Sequence, residues 1–218
     1  MVANTSGTAG GSSGCEGAES ELGLAERLVQ VTLALLSEDG LEDLSLRRIA
    51  RRAGVSHGAP ARHFRSHADL LAEVAARGFA LLSEALHKCD AQMPAETSPQ
   101  RRLAAAARAY VDCALANPAL FALMFRPESL DVSNASFVRA SNQAFEALLE
   151  RVRSAQQAGW HARLDTRQLA GSMWASVHGL ATLWAQGAYQ APIPGVSLDD
   201  ALTATLTLVA DGRQGDPA

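Results

Sequence analysis

LSLRRIARRAGVSHGAPARHF, residues 44–64, is the stretch on which the reading of the fold turns. Ser45 reads as a helix N-cap, and Leu46, Ile49, Ala50 and Ala53 place the apolar side of a helix only about two turns long. Gly54-Val55 makes the turn. Ser56 then reads as the N-cap of a second short helix reaching about Phe64, with Pro60 near its fourth position, where a missing N–H forfeits one intrahelical bond. Neither helix is long enough to be stable alone, so both must be held by packing. Two such helices joined by three or four residues that include Gly form a helix-turn-helix, whose second helix fits a major groove about 12 Å wide. Upstream, Leu24, Leu28, Val31 and Leu35 recur at the helical period over 21–38, and Gly40 supplies the stop. That third helix closes the core beneath the pair, with Val55 and Phe64 as the expected plugs.

Charge sharpens the reading. From Ser45 to His67 stand Arg47, Arg48, Arg51, Arg52, Arg62 and Arg65 with no Asp or Glu, a local +6 in a chain of net charge −4, which leaves −10 for the rest. A reversal of sign confined to one short window predicts a polyanion contact, because local field decides what docks on a surface. A solvated basic face is the alternative.

The run from Gly40 to Leu71, GLEDLSLRRIARRAGVSHGAPARHFRSHADLL, resembles the N-terminal domain of the TetR/AcrR family of bacterial transcriptional regulators, over roughly residues 21–75. The resemblance implies an all-helical homodimer that represses promoters until a small molecule binds its larger C-terminal domain. Position by position, Ser45 and Arg47 match the start of the second helix, which approaches phosphates and bases. Ser56, His57, Gly58 and Ala59 match the leading end of the recognition helix, and His63 matches a phosphate contact. With Arg48, Arg62 and His67 they complete the expected DNA-binding set. Ala61 stands where the family usually has a phosphate-binding Tyr and His67 where it usually has Lys, losses for which Arg62 or Arg65 would compensate.

His57, His63 and His67 also invite a metal reading, since 63 and 67 are one turn apart. No Cys lies near them in sequence to complete a closed ligand set, so neither a metal nor any other cofactor is expected. Protonation beside phosphate would instead raise DNA affinity as pH falls toward 6.

The rest of the chain reads as helical: 67–89, opened by Ser66, then 99–116, 118–125, 133–159, 166–188 and 198–211, separated by Pro and Gly breaks. In the first of these, Leu70, Leu71, Val74, Gly78, Leu81, Leu82 and Leu86 make the expected buried stripe. This helix connects two domains, with the boundary near Gly78. The expected organisation is all-α: a disordered arm over 1–20, a helix-turn-helix DNA-binding domain over 21–77, a larger helical ligand-binding and dimerisation domain over 78–212, and a flexible tail over 213–218.

Over 166–188, Met173, Val177, Leu180 and Trp184 form one apolar face and Trp174, His178, Ala181 and Ala185 the adjacent one. Over 198–211, Leu202, Leu206 and Val209 oppose Ala201, Ala204 and Leu208. Helices apolar on two sides must be covered on both, which predicts a homodimer through a four-helix interface of 166–188 and 198–211; a central place in a monomer core is the alternative. The segments Asn117–Phe125 and Trp174–Leu180 resemble the C-terminal domain of a TetR subgroup named for its Trp-His-Gly signature.

Tyr110, Phe121, Met124, Phe125, Phe137, Phe145, Trp174 and His178 are the candidate wall of a pocket for an apolar small-molecule ligand, with His178 the polar group expected to face it. Each of them alone reads equally as an ordinary core residue. Catalysis finds no support: there is no nucleophile elbow, no phosphate-binding glycine loop and no carboxylate pair at metal spacing. The N-terminus lacks a secretory signal and no stretch approaches the roughly 20 apolar residues that span a bilayer, so no membrane contact is expected. Cys15, Cys89 and Cys113, an odd set without C-x-x-C spacing, suit reduced thiols in a cytoplasm, a redox pair of Cys89 and Cys113 being the alternative. The function expected is a cytoplasmic, DNA-binding repressor, homodimeric and released from a pseudo-palindromic operator by an apolar ligand. A ligand-independent regulator and a helical protein-interaction adaptor stand as alternatives.

Overall fold

In the computed structural model, backbone is described for residues 13–210 and side chains from residue 23 onward. Every regular element among them is helical, and none of the helices is long and apolar enough to cross a membrane. The chain divides into two compact units within one helix, between Leu70 and Leu71, two turns of helix before the expected boundary at Gly78.

The first unit is built from α1 (Ser13–Asp39), α2 (Leu46–Arg52) and α3 (Pro60–His63), followed by the first turn of α4 (His67–Ala91). The helix expected from Glu21 thus starts at Ser13, inside the stretch expected to be a disordered arm. The rest of that expected arm, the Cys15 thiol and the tail over 213–218 lie outside the described residues. Gly40, at φ 77°, ends α1 with its N–H on Leu36 O at 3.0 Å. Ser45, extended at φ −134° and ψ 149°, caps α2 by accepting from Arg48 N at 3.3 Å. α1 packs on both short helices.

Leu28, Leu35, Leu36, Ile49 and Pro60 are fully buried there, with Phe64 close behind. Pro60, expected inside the second helix, instead opens it at the first position, and Ser56 is not its cap. Pro60 has no N–H to reach back to Ser56 O, so that oxygen accepts from Ala59 N at 3.0 Å and closes a separate turn before α3 starts. Phe64 plugs the core as expected, whereas Val55 is only half-buried and Pro60 fills the second place.

The second unit continues α4 and adds α5 (Pro99–Ala116), α6 (Pro118–Met124), a 3₁₀ turn at Pro127–Ser129, α7 (Ala135–Gln157), α8 (Thr166–Ala185) and α9 (Leu198–Ala210). Ser98, Asn134 and Asp165 cap α5, α7 and α8. α5 packs on α6, α7 and α8, and α8 also meets α7 and α9. In α4 the buried stripe runs through Val74, Phe79 and Leu82, while Leu81 faces out. Gly78 sits against α6: a Cβ there would lie 2.8 Å from Met124 Cγ and 3.2 Å from Leu120 Cγ, so any larger residue requires the Met124 side chain to move.

Candidate functional site

The helix-turn-helix owes its geometry to Gly54, whose φ of 68° turns the chain between α2 and α3. Around it the six arginines divide into two sets. Arg48 pairs with Asp39 and lies 3.9 Å from Asp43. Arg52 holds Glu38 in a two-pronged pair at 2.8 and 3.0 Å; that hydrogen bond first, and the carboxylate charge second, raise the guanidinium pKa. Arg65 reaches Asp69, Nη2 to Oδ1 at 3.2 Å, while its backbone N donates to the same carboxylate at 2.9 Å and fixes the start of α4. Arg47, Arg51 and Arg62 are exposed and make no ion pair among the described residues. The window read as +6 is therefore partly neutralised by carboxylates on α1 and α4 that lie outside it in sequence.

Of the other expected DNA contacts, Ser45, Ser56, His57 and Gly58 are exposed and His63 is half-buried. Gly58 has an ordinary φ, and a Cβ built on it meets nothing within 4 Å, so packing within the chain gives no reason for a glycine there. Ala59 departs from expectation. It is buried with Pro60 in the core, with only 8% of its surface exposed. His67 departs too: Nε2 is buried with no hydrogen-bond partner, and burial lowers its pKa, so the protonation expected beside phosphate is disfavoured at this histidine.

The second unit holds a cavity of about 790 Å³, partly open to solvent, whose wall is almost wholly apolar. α4 contributes Phe79, Leu82 and Leu86, α5 Tyr110, α6 Met124, α7 Phe137, Phe145 and Arg151, and α8 Trp174 and His178, with Phe125 following α6. Seven of the eight expected pocket residues lie on this wall. Phe121 does not; it stands behind, with ring centroids 5.1 Å from Phe125, 5.2 Å from His178 and 5.4 Å from Tyr110. Phe79 extends this aromatic group toward α7, 5.6 Å from Phe125 and 5.9 Å from Phe137. Such edge-on ring packing stabilises the wall beyond simple burial.

Three of the polar groups on the wall form one chain. Trp174 Nε1 donates to Tyr110 Oη at 3.1 Å, and Tyr110 Oη lies 2.9 Å from His178 Nδ1. Burial raises the Tyr110 pKa and lowers that of His178, so both groups stay uncharged near neutrality. Two of the wall residues outside the expected set stand out. Phe79 is one; as the neighbour of a buried glycine on a strongly apolar helix it was open to detection. Arg151 is the other; in sequence it reads as part of the solvated face of α7, and nothing local marks it as a lining residue.

Residues 28–74 match the family described as bacterial regulatory proteins of the tetR family, and residues 103–209 match the tetracyclin repressor-like C-terminal domain. The Trp-His-Gly subgroup expectation gains no support from that second match. Over 46 residues the chain is 46% identical to the HTH-type transcriptional regulator BetI of Proteus mirabilis (strain HI4320), a match that spans 21% of this chain and 23% of that regulator. Among solved structures, a protein of unknown function from Rhodococcus sp. RHA1 is 35% identical, with a TM-score of 0.73 over 87% of this chain and 94% of the other. The regulator PfmR of Thermus thermophilus shares the fold at 19% identity and TM-score 0.61, covering 84% and 97%. So does FadR of Bacillus subtilis, solved in complex with stearoyl-CoA, at 15% identity and TM-score 0.59, covering 86% and 98%.

Proposed function

This chain belongs to the TetR family of DNA-binding transcriptional regulators, which are not enzymes, and from that premise we propose that it is a homodimeric repressor released from a pseudo-palindromic operator by a small apolar ligand. The observation that carries the ligand part is the 790 Å³ apolar cavity, a volume in the range of small-molecule sites. The stearoyl-CoA bound by the FadR of like fold is compatible with that reading but says nothing of this chain's own ligand.

In this reading Arg47, Arg51 and Arg62 approach phosphates, and Ser56, His57 and Gly58 present the leading end of the reading head to the groove. Two heads, one from each protomer, lie about 34–36 Å apart or a multiple of it, which makes the operator pseudo-palindromic. The partner surface is formed by α8 and α9. Leu183 and Leu208 are 45% and 78% exposed on them, and an isologous contact would cover such apolar groups on both protomers at once. Release follows if the ligand binds one arrangement of α4 better than another: α4 lines the cavity with Phe79, Leu82 and Leu86 and begins in the DNA-binding unit. The proposed location is the cytoplasm, where the DNA lies.

A gel-shift against the DNA upstream of the protein's own gene, with wild type beside Arg47→Ala and Arg62→Ala, tests the DNA part. Tight, salt-sensitive binding by wild type and weakened binding by both variants is expected; equal, weak binding by all three on any DNA defeats the reading. Addition of apolar compounds that raise the melting temperature should dissolve the shifted complex. Compounds that bind without releasing DNA would point to a ligand-independent regulator.

A further inference from the structure

Thr32, Asp69 and Asn134 are the buried polar side chains among the described residues. Thr32 bonds Leu28 O of its own helix, and Asp69 holds the backbone and guanidinium of Arg65, four residues back. Asn134 reaches across 61 positions. Its Oδ1 accepts from Phe137 N at 3.0 Å and caps α7, while its Nδ2 donates to Glu73 Oε1 on α4 at 3.0 Å. The network fixes the amide this way round, because a backbone N–H has nothing to accept with and an ionised carboxylate nothing to donate. For the cap alone, Ser or Thr would serve as well and would bury one polar atom fewer. Asp would serve too, favoured by the helix dipole, but its second oxygen would face the Glu73 carboxylate. Of the strongly preferred caps, only Asn supplies the donor that the second bond needs.

The two ends of that bridge lie at places of different kinds. Glu73 is three residues, less than one turn of α4, beyond Leu70, where the DNA-binding unit ends. Phe137, whose N–H the same amide accepts, lines the cavity, and its ring meets that of Phe79 on α4 at 5.9 Å. The start of α7 thus grips α4 twice within six residues, once by a hydrogen bond to a charged acceptor and once through two rings of the cavity wall. We propose that Asn134 and Glu73 are positioning residues for DNA binding: their bond clamps to the cavity wall the stretch of α4 that runs on into the DNA-binding unit. The inference rests on the reading of two heads docking together and of a cavity guest acting through α4. Freedom at the clamp is freedom that both heads must give up on docking, so the bond raises affinity by preorganisation, with no contact to DNA required. It also gives a guest a path of action, since a shift of Phe137 carries its N-cap with it, and Asn134 carries Glu73.

The test reads the anisotropy of a labelled duplex from upstream of the protein's own gene, on the full chain, at a temperature where circular dichroism shows each variant folded. Asn134→Ser keeps a cap for α7 and removes the Nδ2 donor; Glu73→Ala removes the acceptor. Each is expected to weaken binding about 2- to 30-fold, the range for residues that carry coupling between sites. For Glu73→Ala this is opposite in sign to the effect of charge alone, because loss of a carboxylate tightens binding to a polyanion. The double variant should be no weaker than the weaker-binding single one, as befits two partners in one bond. Glu73→Gln keeps an acceptor oxygen and should bind within about twofold of wild type, or tighter. Val152→Ala, at a buried position on α7 away from the clamp, should lower the melting temperature and leave duplex affinity unchanged. If Asn134→Ser does not fold, Glu73→Ala and Glu73→Gln decide. Either single variant binding as tightly as wild type overturns the proposal, as does a double variant weakened by the product of the single effects. Glu73→Gln binding as weakly as Glu73→Ala, or Val152→Ala binding as weakly as either clamp variant, overturns it too. Wild type that binds no upstream duplex tightly would defeat the operator reading on which the proposal rests.

Discussion

The division of the arginines gives a quantitative forecast. Each phosphate neutralised on duplex DNA contributes about −0.9 to the slope of log K against log salt. In the proposed dimer a substitution acts in both heads, so Arg62→Ala should make the slope shallower by about 1.8 and weaken binding roughly 60-fold at 0.1 M salt relative to its effect at 1 M. Arg52 carries the same formal charge on the same motif. Glu38 holds it in a two-pronged pair, and a charge already neutralised releases few counterions from DNA. Arg52→Ala should therefore alter the slope by well under half as much. Glu38→Gln should do the reverse of a loss: it frees Arg52, steepens the slope and tightens binding, with little effect on melting because an exposed pair contributes little to stability. Fluorescence anisotropy of a labelled upstream duplex, titrated from about 0.05 to 0.5 M salt, reads all three. If Arg52→Ala flattens the slope as far as Arg62→Ala, or Glu38→Gln leaves it unchanged, the intramolecular pairs do not govern which arginines reach DNA.

Gly58→Ala should leave the melting temperature unchanged or slightly higher, since its Cβ meets nothing, and should weaken DNA binding by anisotropy because the head then stands off from the groove. Tyr110→Phe strips the central member of the polar chain, leaving Trp174 Nε1 and His178 Nδ1 without partners; thermal melts should show a loss of about 1–3 kcal/mol. Burial lowers the pKa of His67 and His178, so the unfolded chain takes up protons before the folded one does. Stability should accordingly be full above pH 6.5 and decline as pH falls from there toward the lowered folded values, and His178→Phe should flatten that decline in melts between about pH 7.5 and 5.

Much of this was legible from local chemistry. Ser45 and Gly54 act through their own side chain or lack of one, within three residues of where they stand, and both do in the fold what their type implies. Pro60 was legible too but was outweighed: a hydroxyl at Ser56 suggested a cap, while the missing N–H four residues later decides that no helix can run through from it. The phase of α4 was off at Leu81. Leu70, Leu71, Val74, Gly78 and Leu82 of the expected stripe are buried, and only Leu81 faces out, about 200° of helix from Phe79, which is buried without having been expected. The arginine partners were hidden for a different reason. Glu38 and Arg52 are 14 residues apart in sequence, and only the packing of α1 on α2 brings them together. Arg151 is the extreme case. Its amphipathic context is that of a solvated residue, and its place on a cavity wall depends on Asp90, 61 positions away.

The glycine at 78 makes the chamber adjustable from outside. A methyl group added there would displace the thioether of Met124, an unbranched side chain that can swing aside, and Met124 is itself part of the wall. The space offered to a guest is thus set in part by a residue that no guest touches. A lineage could shift its chemical taste from longer to shorter molecules through one outlying codon, with every wall residue and every DNA-facing side chain unchanged.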